Sequence, residues 1–206
     1  MIDTIFIIAG GPSVKGLPLE KLKGKGFILA VNDSFLHAPF DAIVSMDGRW
    51  MFNRYEQLRS IQAKFYARDK QFKKWCAAGW LWTGVELLDV DHTRSGMGET
   101  WEKLKAKHSG AMALNIAYLM RPKRIYLFGF DHTGVPNGGN ESEHWYGKYP
   151  WRPHRKSFNH QYEWIVDHRV CAEQFHDKGI EVFNVSQLSM INVYKRIQFK
   201  EIEELR

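Results

Sequence analysis

Residues Ile5-Phe6-Ile7-Ile8-Ala9 form an unbroken apolar run that stops at Gly10-Gly11-Pro12-Ser13. A short run with no polar alternation is apolar on both faces. It reads as a parallel strand covered on two sides and ending in a tight turn. Similar runs occupy 27–31, 42–46, 64–67, 85–88, 125–130 and 181–184. Helical patterns intervene at 51–61, 71–77, 110–120, 159–177 and 199–205. This alternation predicts one α/β domain over 1–206, a doubly wound and mostly parallel sheet.

In such a sheet, ligands sit in the crevice outside the carboxyl ends of the strands. The residues just past each run are therefore the first candidates for a site. Gly10 and Gly11 allow positive φ and a close ligand approach, and Pro12 and Ser13 complete the turn. The Ser13 hydroxyl and the turn amides suit a phosphate. The spacing matches neither the dinucleotide fingerprint nor the P-loop. Asn32 and Asp33 follow the second run, Asp47 the third, and Asp131 with His132 the run at 125–130. Each alone reads equally well as a cap or turn residue; their recurrence at successive strand ends is the signal. Ser109 reads as an N-cap, and Gly110 lets that helix start press on the sheet and offer its amides to an anion. Asp89-Val90-Asp91 is a short acidic pair that occurs often by chance.

The segment 131–158 has no strand or helix periodicity and carries His144, Trp145, Tyr146, Tyr149, Trp151, Arg152, His154 and Arg155. Unstructured stretches of this length in a compact domain are usually lids or disordered segments. A lid closing on an anionic, partly aromatic ligand fits these residue types. The chain carries 29 Lys and Arg against 23 Asp and Glu, a charge of +6 that suits a polyanionic partner. It has no apolar stretch of membrane-spanning length and no signal-like start, so a cytoplasmic protein is expected. The two cysteines make no disulfide framework. The nine histidines show no ligand-type spacing, so no metal site is expected.

The ordered set Gly10-Gly11-Pro12-Ser13, Val31-Asn32-Asp33, Ser109-Gly110, Ile125–Asp131 and Val182-Phe183-Asn184-Val185-Ser186 resembles the bacterial lipooligosaccharide sialyltransferases. It is also similar to the wider group of 6-hydroxymethylpterin pyrophosphokinase-like proteins, some of them phage-encoded. The resemblance implies a Rossmann-like, GT-A-like domain with a lid, a CMP-sugar donor and no metal or other cofactor. The acceptor would be a hydroxyl on a glycan or a modified DNA base. It places nucleotide contacts on Gly11, Ser13, Asn32, Ser109 and Gly110, with Asp47 where that family has Asn. Tyr146 and Tyr149 would hold the leaving phosphate, with Arg152 and Arg155 beside them. The general base would be His160, with His154 and His144 as alternatives. The pterin-kinase relatives imply ATP and a divalent ion on Asp47, Asp131 and Asp89. A non-catalytic nucleotide- or nucleic-acid-binding module is the reading from a third class.

Overall fold

The computed structural model describes residues 2–76, 84–132, 144–147, 149–151 and 159–203, with side chains at all of these but 159–161 and 203. Eight strands form one sheet: β1 (Thr4–Ile8), β2 (Phe27–Val31), β3 (Ala42–Ser45), β4 (Lys64–Arg68), β5 (Val85–Leu88), β8 (Arg124–Phe128), β9 (Glu181–Asn184) and β10 (Lys195–Arg196). Between β5 and β8, β6 (Val90–Asp91) and β7 (Leu104–Lys105) form a separate short pair. The order in the main sheet is β10-β9-β8-β1-β2-β3-β4-β5. Every pairing is parallel, with Ile5 beside Phe27 on one side and Ile125 on the other. The chain therefore walks outward from β1 to β5, then returns to the other side of β1 as β8. The order reverses between β1 and β8, and a crevice opens at such a switch point.

Alternate side chains of each central strand meet different layers, which is why the runs are apolar throughout. Ile5, Ile7, Leu29, Val44, Ile125 and Leu127 pack under α4 (Ser109–Met120) and α5 (Asn159–Asp177). On the opposite face Phe6, Ile8 and Phe128 meet Val14, Leu22 and the Phe199 and Ile202 of α6 (Phe199–Glu203). Farther along that face Ala30, Ile43 and Phe65 pack on Trp50, Met51 and Leu58 of α1 (Gly48–Asn53) and α2 (Tyr55–Arg59), with α3 (Asp69–Cys76) beside them. Helix α4 is buried from Ser109 to Tyr118, so its run of Gly and Ala is what a helix pressed onto a sheet requires.

Several local expectations change. The helix expected over 51–61 starts at Gly48, because the Asp47 carboxylate accepts the Arg49 and Trp50 amides, and it breaks at Arg54. Strand β8 stops at Phe128 because Gly129 turns to φ +69°; a Cβ there would lie 2.7 Å from the Ala9 carbonyl oxygen. The pair β6 and β7 and the edge strand β10 carry too few apolar residues to show as runs. Among the described residues no helix is long and apolar enough to cross a membrane.

Candidate functional site

The turn after β1 is held by the end of β8. The Gly11 amide donates to the Gly129 carbonyl at 2.9 Å. Asp131, buried, accepts the Ser13 amide at 2.8 Å and the Ser13 hydroxyl. The amide and hydroxyl expected to cradle a phosphate are thus turned onto the protein's own carboxylate. Nor do Gly10 and Gly11 adopt positive φ: Gly11 sits at φ −67°, in extended backbone. What these glycines supply is space. A Cβ on Gly11 would come within 2.5 Å of both the Gly129 carbonyl and Asp131 Oδ2, and one on Gly10 within 2.5 Å of His144 Nδ1.

His144 brings the other wall of the crevice. The Trp145 amide donates to the Gly10 carbonyl at 3.1 Å, and its indole N–H to the Ala9 carbonyl at 3.0 Å. His144 Nδ1 lies 3.3 Å from the Gly10 oxygen, and its ring stacks on Tyr146. The hydroxyls of Tyr146 and Tyr149 are 2.9 Å apart. The structure therefore gathers His144, Tyr146 and Tyr149 over the glycine turn. Arg152, His154 and Arg155 lie outside the described residues. Residue 160 lies in the first turn of α5, but the His160 side chain is also outside them.

The second strand end turns sharply. Asn32 takes the left-handed conformation, φ +51°, a region that Asn tolerates better than most residues. Its Oδ1 is shielded from solvent and has no hydrogen-bond partner among the described residues. Next to it, buried Asp33 accepts the Trp50 indole N–H at 2.6 Å and both Nε and Nη2 of Arg54. Donation of these hydrogen bonds to Asp33 raises the Arg54 pKa, against an opposing effect of burial. The guanidinium carbon lies 4.7 Å from the centre of the Trp151 ring. His37 stacks on Tyr146 at 5.9 Å. Neither Arg54 nor His37 stands out in sequence: one lies inside a helical pattern and the other in a loop, with no motif around them.

Two other expected contacts have structural occupations. Asp47 caps α1, and the Ser109 hydroxyl accepts the Met46 amide at 3.0 Å, tying α4 to the end of β3. The N-cap of α4 is His108, whose Nδ1 accepts the Ala111 amide at 3.3 Å, rather than Ser109. Gly110 does let the helix start press close, since a Cβ would lie 3.1 Å from Phe130 and from His108. In the acidic pair, Asp91 accepts from the amide and hydroxyl of Thr93 and faces Arg94 at 3.6 Å.

The histidines are not all scattered. His108, His132 and His168 each place a ring nitrogen within 4.8 Å of the other two. They lie 24 and 36 residues apart on three different elements, so no linear spacing marks them. Burial pushes the His132 ring down to about 4, and His108 and His168 well below the ordinary imidazole range.

No protein-family profile matches the chain, and no curated protein matches it in sequence. Two solved structures share its fold. The MAf glycosyltransferase from Magnetospirillum magneticum AMB-1 superimposes with a TM-score of 0.64 at 12% identity, over 100% of this chain. The chain spans only 34% of that protein's length. The sialyltransferase CstII from Campylobacter jejuni, solved with CMP-3FNeuAc, gives a TM-score of 0.50 at 12% identity, over 96% of this chain and 86% of its own. The chain thus has an α/β Rossmann-like fold, and both structural neighbours are glycosyltransferases.

Proposed function

We propose that the chain is a glycosyltransferase that takes a nucleotide-sugar donor of the CMP-sugar type and passes the sugar to a hydroxyl acceptor on a glycan or a modified DNA base. The observation that carries this reading is the shielded Asn32 Oδ1, without a partner among the described residues, at the strand end beside the β1–β8 switch point. A buried acceptor left unpaired costs about 1–3 kcal/mol. An exocyclic amine of a base, such as that of cytosine, would recover this. The CMP complex of the structural neighbour supports the same donor class.

In this reading the acceptor hydroxyl attacks the anomeric carbon in one inverting displacement as the bond to the nucleotide phosphate breaks. Its proton goes to a histidine, His160, His154 or His144. Of these, His144 stands against Gly10 at the crevice. The paired hydroxyls of Tyr146 and Tyr149, with Arg152 and Arg155, donate to the departing phosphate, a stabilisation that needs no metal. Ser13, already bonded to Asp131, is left out of the phosphate contacts in this scheme. The pterin-kinase alternative is less favoured, because its ion would need Asp131 and Asp47 while one latches Ser13 and the other caps α1.

A thermal-shift panel of CMP, CDP, UDP, GDP, ADP and ATP, with and without Mg²⁺, tests the reading. Ligand at 100 times its Kd stabilises by about 2.7 kcal/mol, roughly 5–11 °C for a domain of this size. CMP should give that shift without metal, and Asn32→Gly, which removes the acceptor oxygen and tolerates the left-handed backbone, should lose most of it. A shift seen only with ATP and Mg²⁺ would replace the transferase with a kinase. No shift from any nucleotide, with DNA still bound, would leave a binding module.

A further inference from the structure

Three imidazoles converge at the carboxyl edge of the sheet, beside the crevice but separate from the residues that line it. His108 precedes α4, His132 follows Asp131, and His168 lies mid-way along α5. Ring centres are 5.2 Å apart for His108 and His132, 5.5 Å for His132 and His168, and 6.3 Å for His108 and His168. The indole of Trp164 covers the group, 4.6 Å from His108 and 5.7 Å from His132.

One tautomer of His168 satisfies both of its contacts with Tyr194. The Tyr194 hydroxyl donates its single proton to the His168 carbonyl oxygen at 3.3 Å. The hydroxyl oxygen itself lies 3.2 Å from His168 Nδ1, so the tautomer with the ring proton on Nδ1 is the one that satisfies both contacts at once. The His168 lone pair is therefore on Nε2. That atom is cut off from solvent and has no partner among the described residues, in a side chain only 2% exposed. His132 Nε2 is likewise shielded and partnerless. An imidazole whose one nitrogen donates to an oxygen while the other is bare and buried is the arrangement in which histidine binds a metal. Nothing else described satisfies these two nitrogens.

We infer that His108, His132 and His168 form a binding site for one divalent cation of the zinc class. Three neutral nitrogen donors with no carboxylate select zinc, cobalt or nickel over magnesium and calcium. Three protein ligands leave a fourth position for water or an incoming ligand. Nitrogens sharing a tetrahedral zinc sit roughly 3.4 Å apart, so the rings close in slightly when the ion enters. His108 changes most. Its Nδ1 now accepts the Ala111 amide, and binding through Nε2 moves the ring proton to Nδ1 and releases that cap. The ion would pin together the start of α4, the end of β8 and α5. The inference goes beyond the transferase reading and does not depend on it.

The test uses the full chain after chelation and dialysis. Calorimetry with Zn²⁺ should show one site per chain, and Co²⁺ should give the intense visible bands of a four- or five-coordinate nitrogen site. Zinc at 100 times its Kd should raise Tm by roughly 5–11 °C, and Mg²⁺ should not. His132→Gln and His168→Gln should each weaken zinc binding by at least ~100-fold, while His176→Gln, on the exposed end of α5, should leave it unchanged. Should a variant fail to fold, the cobalt form of the wild-type chain should show paramagnetically shifted ring N–H protons from three histidines. No zinc binding by the wild-type chain overturns the inference. So does binding that survives in folded His132→Gln and His168→Gln, or a cobalt form with fewer than three shifted imidazoles.

Discussion

Replacing Asp131 with alanine tests whether the glycine turn is built by the protein rather than left open for a phosphate. Asp131 is 2% exposed and accepts two hydrogen bonds from Ser13, the amide bond at 2.8 Å. Hydrogen bonds to a charged group contribute about 1.5–3 kcal/mol each, and a stranded buried donor costs about 1–3 kcal/mol. Removing the carboxylate also relieves its own desolvation, which offsets part of the loss. The net expectation for Asp131→Ala is about 3 kcal/mol of destabilisation, or roughly 6–12 °C in Tm for a chain of this length. Asp131→Asn keeps the shape and one acceptor oxygen, so it should cost about 1 kcal/mol. Urea unfolding followed by tryptophan fluorescence reads both. A double-mutant cycle with Ser13→Ala should show coupling of about 1–2 kcal/mol, since the two residues touch. A loss below about 0.5 kcal/mol for Asp131→Ala, at unchanged m-value, would mean that Ser13 is not held by this carboxylate. The turn would then be open to an anion, as its sequence alone implies.

Gly11→Ala should destabilise by several kcal/mol even without ligand, because the new Cβ meets the Gly129 carbonyl at 2.5 Å and backbone cannot step aside; a near-native Tm would refute this. Asp33→Ala should cost about 3–5 kcal/mol, since it strands the largely buried Arg54 guanidinium and the fully buried Trp50 N–H. The same variant should change the emission of Trp50, and an unchanged denaturation midpoint would show the pair to be idle. Cys76 is 1% exposed, and burial pushes its thiol up to about 12, with Cys171 raised still further. Ellman's reagent at pH 8 should therefore label neither thiol in the native chain and both after denaturation, and rapid labelling of either in native protein would contradict the packing.

The apolar runs determine the sheet by themselves. Residues buried on both faces must be apolar at every position, so Ile5–Ile8 and Ile125–Phe128 announce parallel strands without help from their surroundings. The break at Gly10 likewise marks the end of the first strand. Which side of β1 the later strands would join is a matter of tertiary packing, and it alone makes the crevice between β1 and β8. The same holds for most of the site. Ser13 and Asp131 are 118 residues apart, and only the pairing of β1 with β8 reveals that Asp131 takes the hydrogen bonds of Ser13. Gly129, not Gly10 or Gly11, needs the positive φ, because the crowding it avoids comes from the neighbouring strand. Arg54, His37 and the trio of His108, His132 and His168 have no local signature. Their chemistry arises from proximity across elements, decided for the trio by how helices α4 and α5 lie on the sheet and for Arg54 and His37 by Asp33 and Tyr146 coming beside them.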